Sequence, residues 1–420
     1  MRTMSVNWAF CGKRWGSGND LMTTVANREE HTHNLDNQAA RMVVLIWITY
    51  AFYYLGRLNL SPALDALASD LNISRTAAGS LGSVMFWCYA IGHLINGQLG
   101  SRISPHRLVA GGLLVIAVTN LLFSTQTNLL VLAILWGING FAQSTGWAPL
   151  LRILSERLNQ SQRRRISTIF PMSYLVGSAA TWGLSGWLVA TVGWRAAFWV
   201  PGIVLLGMLV VWWIAGTDAP TAQANANDAS HWRLAVADVR QLLPLLAIAG
   251  LVGFVHVGGS IWIPTYVLDT DLFSDRISGL IAGIIPLTGI IGMVIAGRRL
   301  RNGSDLFATM RMLIAGSFFT LILALFLPQL MQLIAVGVMM LLLSGVTALI
   351  LSSVPMLLAA EGRAASVGGT VTAITNVGGG LAGIIIGSVV EQWSWTYAFG
   401  LWSICLGVVL LMLLAMGRQS

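Results

Sequence analysis

Charge is what this sequence has least of. Only 10% of its 420 residues are charged, where a soluble domain carries about 25%. Lysine is nearly absent, since Lys13 is the only one. A GxxxxGK[ST] phosphate-binding loop is also missing, which excludes ATP as a direct energy source within this chain. The three cysteines, Cys11, Cys88 and Cys405, are far apart and form no CxxC pair. They read as free thiols, and neither a disulfide framework, a metal site nor a cofactor is expected. Residues 1–40 are polar and lack the compact apolar core of a signal peptide. They read as a cytoplasmic tail, with Met22 as an alternative start.

What is present is apolar: 56% of residues are hydrophobic and the mean hydropathy is +0.74. That excludes a soluble globular enzyme and a disordered chain, and makes lipid the principal solvent. From Arg41 onward, apolar runs long enough to cross a bilayer alternate with short polar breaks. The expected spans are 42–67, 77–99, 107–124, 129–151, 166–190, 194–216, 242–268, 277–298, 308–327, 330–357, 365–390 and 395–416. The longest polar stretch among them is 217–240. The expected organisation is a tail at 1–40, a six-helix bundle at 41–216, a cytoplasmic linker at 217–240 and a second six-helix bundle at 241–417.

Arginine placement orients the chain. With the N-terminus inside, 17 arginines from Arg28 to Arg418 fall in inside segments, and only Arg75, Arg195 and Arg276 fall outside. This is the positive-inside pattern. The net charge of +8 is then a topological signal and not a nucleic-acid surface. Both termini are expected to be cytoplasmic, in a multi-pass protein of the cell inner membrane.

The two halves echo each other. At a constant offset of 201, Gly177, Gly186, Trp194, Ala197 and Phe198 match Gly378, Gly387, Trp395, Ala398 and Phe399. Glycines suit helix crossings where backbones approach closely, and indoles suit the membrane interface.

Ionisable groups within spans mark pathways, because each is costly in hydrocarbon. Arg57 lies 16 residues after Arg41, roughly 24 Å along a helix, and no acid lies within one turn of it. Guanidinium stays charged at any pH and offers a bidentate fork to phosphate or carboxylate, which makes Arg57 a candidate anion anchor. Tyr50, Tyr53 and Tyr54 precede it on neighbouring faces, with hydroxyls for a solute or a core role. His93 and His256 are the only histidines inside spans and could switch charge near neutrality. Gln143 is one of few polar groups in its helix, and Arg152 at the helix end reads as an anchor at the inner surface. No acid lies at mid-span, so a carboxylate proton relay is not expected.

These residues resemble the major facilitator superfamily. Gly97–Arg102 followed by Arg107 is similar to that family's loop between its second and third helices, with Ser101 where the family has an aspartate. YYLGRLNLSPAL (53–64), NGFAQSTGWAPLLR (139–152), GWRAAFWVPGI (193–203) and WIPTY (262–266) resemble the organophosphate:phosphate antiporters. That resemblance implies twelve helices in two pseudo-symmetric bundles and a phosphate held by two cavity arginines. Arg57 matches the first, and His256 stands where the second would fall. His93 stands in place of a family lysine, and Tyr174 in place of a family histidine. The expected protein is no enzyme. It is a monomeric secondary transporter of a small organic anion, an organophosphate, phosphonate or carboxylate, with phosphate or protons as coupling ion. A sensor of an external anion and an exporter of anionic metabolites are the alternatives.

Overall fold

A computed structural model describes residues 38–99, 103–159, 162, 166, 169–216, 236–353 and 364–416. Residues from Leu45 onward cluster as one compact unit, and every contact discussed below lies within it.

The expected spans appear as helices. In chain order they are α1 (38–55), α2 (Leu60–Asp70), α3 (Arg75–Leu99), α4 (Pro105–Phe123), α5 (Leu129–Gln143), α6 (Trp147–Arg157) and α7 (Met172–Thr191). They continue as α8 (Ala196–Ala215), α9 (Val236–Asp269), α10 (Asp275–Arg301), α11 (Leu306–Ala324), α12 (Gln329–Ala348), α13 (Ala364–Gln392) and α14 (Trp395–Met416). Two crossings are interrupted. α1 and α2 form one span broken at residues 56–59, and α5 and α6 form another broken at 144–146. A third irregularity is the π turn Leu349–Ser353 that follows α12. Of the expected linker, residues 217–235 lie outside the described residues, and 236–240 already form the start of α9.

Among the described residues, eleven segments are long and apolar enough to cross a membrane. The twelfth crossing is α7, with 20 residues but a sequence diluted by Gly, Ser, Thr and Trp (MSYLVGSAATWGLSGWLVAT). Its small residues serve packing. A Cβ at Gly177 would lie 2.5 Å from the Ala51 carbonyl oxygen of α1, and one at Gly186 would lie 2.6 Å from Gly279 Cα of α10. The sequence repeat reappears in space, because Gly378 of α13 presses in the same way on the Gly250 carbonyl of α9. In lipid, where apolar side chains gain nothing by leaving solvent, such close backbone approach is what joins helices.

The paired tryptophans do more than mark an interface. Trp194 Nε1 donates to Asp70 Oδ2 at 3.0 Å, and Trp395 Nε1 donates to Asp269 Oδ2 at 2.9 Å. In each half, an indole from the last hairpin ties down the acid that closes the first span of that half.

Candidate functional site

The break in the first span is built by amides. Between α1 and α2 the backbone turns at Gly56 and Arg57, so carbonyls there lose their helical partners. Side chains from two other spans replace them. Asn139 Nδ2 donates to the Gly56 carbonyl at 2.7 Å and Asn120 Nδ2 donates to it at 3.3 Å. Gln143 Nε2 donates to the Tyr53 carbonyl at 3.1 Å. Asn59 Nδ2 bridges Asn120 Oδ1 and the Ala197 carbonyl, each at 2.8 Å. Gly56 is required for this approach, since a Cβ there would lie 2.9 Å from Asn120 Nδ2 and 2.5 Å from Ile116 Cγ2. The break in the fourth span lies alongside, where Gly146 sits against the Tyr53 ring and Tyr53 Oη meets Thr145 Oγ1 at 3.3 Å.

Arg57 is mounted on this turn. It is 8% exposed, its Nε has no hydrogen-bond partner, and no carboxylate among the described residues pairs with it. Its charge rests on aromatic faces. The guanidinium carbon lies 4.0 Å from the centre of the Tyr89 ring, 5.2 Å from Tyr54 and 5.6 Å from Phe86. A cation over a desolvated ring is stabilised by about 2 kcal/mol. Central insertion of an arginine costs about 2.5–3.5 kcal/mol. The rings offset a good part of that cost and leave the guanidinium's directional N–H capacity incompletely used.

His93 reaches the same ring from another side. Its centroid lies 4.3 Å from that of Tyr89, edge to face, and its Nε2 is buried without a partner. Tyr50 continues the aromatic wall. It lies 5.6 Å from Tyr54, 5.2 Å from Trp147 and 5.5 Å from Phe170, and Tyr54 lies 5.9 Å from Tyr174. Tyr174 points toward the second half of the chain, with its hydroxyl 3.9 Å from Met293 Sδ of α10.

His256 belongs to a separate group. Its Nε2 is 3.2 Å from Ser344 Oγ and its Nδ1 is 3.1 Å from Thr347 Oγ1. Ser344 gives its only hydrogen to the Met340 carbonyl, so it accepts from His256. Nε2 therefore carries the hydrogen, and Nδ1 is left to accept from Thr347, which fixes a neutral tautomer in this geometry. Helix α10 touches both groups: Met293 meets Tyr174, and a Cβ at Gly289, four residues earlier, would lie 2.5 Å from Ser344 Oγ.

The structure thus gathers Arg57, His93, Tyr50, Tyr54 and Tyr174 into one cluster. It gives the Gln143 amide to the backbone break and leaves His256 bonded to α12. Arg152 pairs with Glu156 at 2.7 Å, and Arg107 is exposed near the start of α4. Gly97 lies on α3, and Arg102 lies outside the described residues. Sequence reasoning missed Tyr89, although it stands one helical turn before His93 on the same face. It also missed Asn120, Asn139, Ser344 and Thr347, whose partners come from distant segments. A groove of about 390 Å³ lined by Val84, Cys88, Ile91, Ile134 and Phe141 is wholly apolar and is not this site.

Comparison with known proteins agrees with the architecture. The chain is 24% identical over 411 residues to a probable hexose phosphate transport protein of Chlamydia pneumoniae, covering 89% of this chain and 90% of that one. It is equally 24% identical, over 406 residues, to the membrane sensor protein UhpC of Salmonella typhimurium, with 89% and 90% covered. In fold it is similar to the crystal structure of the nucleoside transporter NupG. The TM-score is 0.71 at 16% identity, over 91% of this chain and 99% of that one. The sequence profile of the Major Facilitator Superfamily matches residues 46–385, and the chain belongs to that family.

Proposed function

We propose that this protein is a secondary carrier for a small organic anion, held at Arg57 and moved across the inner membrane by alternating access. The bundles 41–216 and 241–417 rock about the site, joined by the linker 217–240, with the 1–40 tail and both termini cytoplasmic. One observation carries this reading: a permanently charged guanidinium buried among aromatic rings, with an unpaired Nε and no carboxylate partner among the described residues. A carboxylate, phosphonate or phosphate monoester supplies the missing acceptors. Tyr50 and Tyr54 shape the space beside it, and Tyr174 links it to α10. His93 lends a hydrogen bond from its free nitrogen, while His256 must release Ser344 or Thr347 before it can reach a solute.

Only one fixed charge faces the solute, so a singly charged head leaves the loaded site neutral. The membrane potential opposes entry of a lone anion by about 2.3 kcal/mol per 100 mV. Uptake therefore exchanges anions or brings in a proton, and His93, with its free nitrogen, can take that proton once a bound anion has neutralised Arg57 on the same Tyr89 ring.

Counterflow in proteoliposomes, over a panel of phosphorylated, phosphonate and carboxylate solutes, tests the reading. Arg57→Lys keeps the charge and loses the fork, and counterflow at the unaltered rate would sink the anchor role. Proton coupling requires uptake to change between about pH 5.5 and 8 and the change to weaken in His93→Gln. A flat profile overturns it. The kinship to a membrane sensor favours a second reading, in which the same site binds an anion and reports it. Saturable binding with no flux would select that reading, and outward-directed flux alone would select export.

A further inference from the structure

One end of the molecule is tied shut by carboxylates gripping the start of α3. Arg75, the first residue of α3, uses its whole guanidinium fork. Nη1 and Nη2 bond the two oxygens of Asp269, on α9, at 2.6 and 2.8 Å. Its Nε bonds Asp65 Oδ1, on α2, at 3.1 Å. Asp269 is further held by the Trp395 indole. Beside it, Glu391 of α13 accepts from the Thr76 amide at 3.0 Å and from the Thr76 hydroxyl at 2.7 Å. A carboxylate there satisfies an orphan amide of the helix N-terminus and meets the positive end of its dipole. Ser61 Oγ adds a bond to the Ser260 carbonyl at 2.7 Å. Asp269, Glu391 and Ser260 all belong to the second half of the chain, and their partners to the first.

The internal repeat makes this arrangement unusual. Asp70 and Asp269 each close the first span of their half and each accept from a tryptophan. Asp70 finds its arginine in its own half, at Arg195, 2.8 Å away. The residue after Trp395 is Thr396, so Asp269 has no such neighbour and takes Arg75 from the other half. α10 opens with Asp275, which cannot bridge to Asp70, and Arg276, which stands 201 residues after Arg75, forms no ion pair with a described carboxylate. The two places correspond in the repeat, and only one carries a bond across the halves.

We infer that Arg75, clamped between Asp65 and Asp269, is the positioning residue that holds this end of the carrier shut, and that its bond to Asp269 must part once per transport cycle. The inference rests on the alternating-access reading. A bidentate arginine with further donors on the same carboxylate is the ion-pair geometry with measurable worth. Its position, spanning the seam between α3 and α9, turns that worth into a bias between two states.

The test is accessibility. Ser83 is fully buried on α3 against Gly383 of α13, deeper in the same seam. In a background lacking Cys11, Cys88 and Cys405, Ser83→Cys is labelled with a membrane-impermeant maleimide from the Arg75 side. Arg75→Gln or Asp269→Asn should raise the labelling rate roughly tenfold. The two together should do no more than either alone, and the swap Arg75→Asp with Asp269→Arg should return it toward the starting rate. A labelling rate unchanged in Asp269→Asn, in protein that remains monodisperse, overturns the latch. Labelling needs no solute. If it responds while every solute fails in counterflow, the latch stands and the transport reading falls.

Discussion

The two buried polar groups that α10 touches are built on opposite principles. Around His256 every hydrogen-bonding atom is occupied, with both ring nitrogens bonded and Ser344 handing its hydrogen to the backbone. Around Arg57 the reverse holds. Nε of Arg57 and Nε2 of His93 are buried and unpartnered, and the positive charge is met by rings and not by acids. Buried polar groups are normally satisfied, and those left open are where a protein holds capacity in reserve. On the proposed reading, the contrast puts recognition in the first half and structural restraint in the second, although both groups stand on corresponding spans.

Substitutions can break this contrast. The largest effect is expected at Arg57. In Arg57→Lys, a lost bidentate pair at a desolvated site is worth ~3 kcal/mol, so counterflow should fall about 100-fold with little change in thermal stability. Equal losses of stability and flux would mean that the arginine is a structural group. Next comes the pair of histidines. His256→Ala strands Thr347 and removes the donor to Ser344, and should lower unfolding stability by about 1–3 kcal/mol. His93→Ala strands no hydrogen-bond partner and gives up only its packing on Tyr89, so it should cost less, about 0.5–1.5 kcal/mol, while weakening anion affinity. Thermal melts with and without the best solute separate the two, and a reversal of that ranking would undo the division of labour.

Smaller effects should follow at the supports. Gln143→Leu leaves the Tyr53 carbonyl without its amide and should cost about 1–2 kcal/mol, raising KM through displacement of the Arg57 turn. An unaltered KM would show that the turn does not position the guanidinium. Gly177→Ala and Gly378→Ala place a methyl against a backbone carbonyl at corresponding crossings. Each should cost about 1–3 kcal/mol. Comparable losses would bear out the spatial repeat, and tolerance at one site would show where the halves have diverged.

Much of the fold was legible, because hydropathy and arginine bias report directly on lipid and topology. Arg57 was conspicuous for the same reason: a charge stands out where almost none exist. The break beneath it was not legible. Gly56 looks like any of the chain's 45 glycines until Asn120 and Asn139 arrive from other spans to take its carbonyl. Gln143 likewise reads as a spare polar group in sequence, since its acceptor lies 90 residues away. The aromatic bed of Arg57 was half visible, in Tyr54 on its own helix, and half hidden, in Tyr89 across the bundle. Asp269 gives no sign of its role in the sequence, because its arginine lies 194 residues distant.

Helix α7 carries a consequence for biogenesis. Alone among the crossings it is too dilute in apolar residues to be recognised by composition as a span, and the small residues that dilute it are those its neighbours need. A ribosome delivering this segment presents the translocon with a helix that gains little from entering lipid unaided. Its commitment to the bilayer is therefore expected to wait for α1 behind it and α10 ahead, so a fault in either crossing would surface as a mis-threaded chain before it surfaced as a slow carrier.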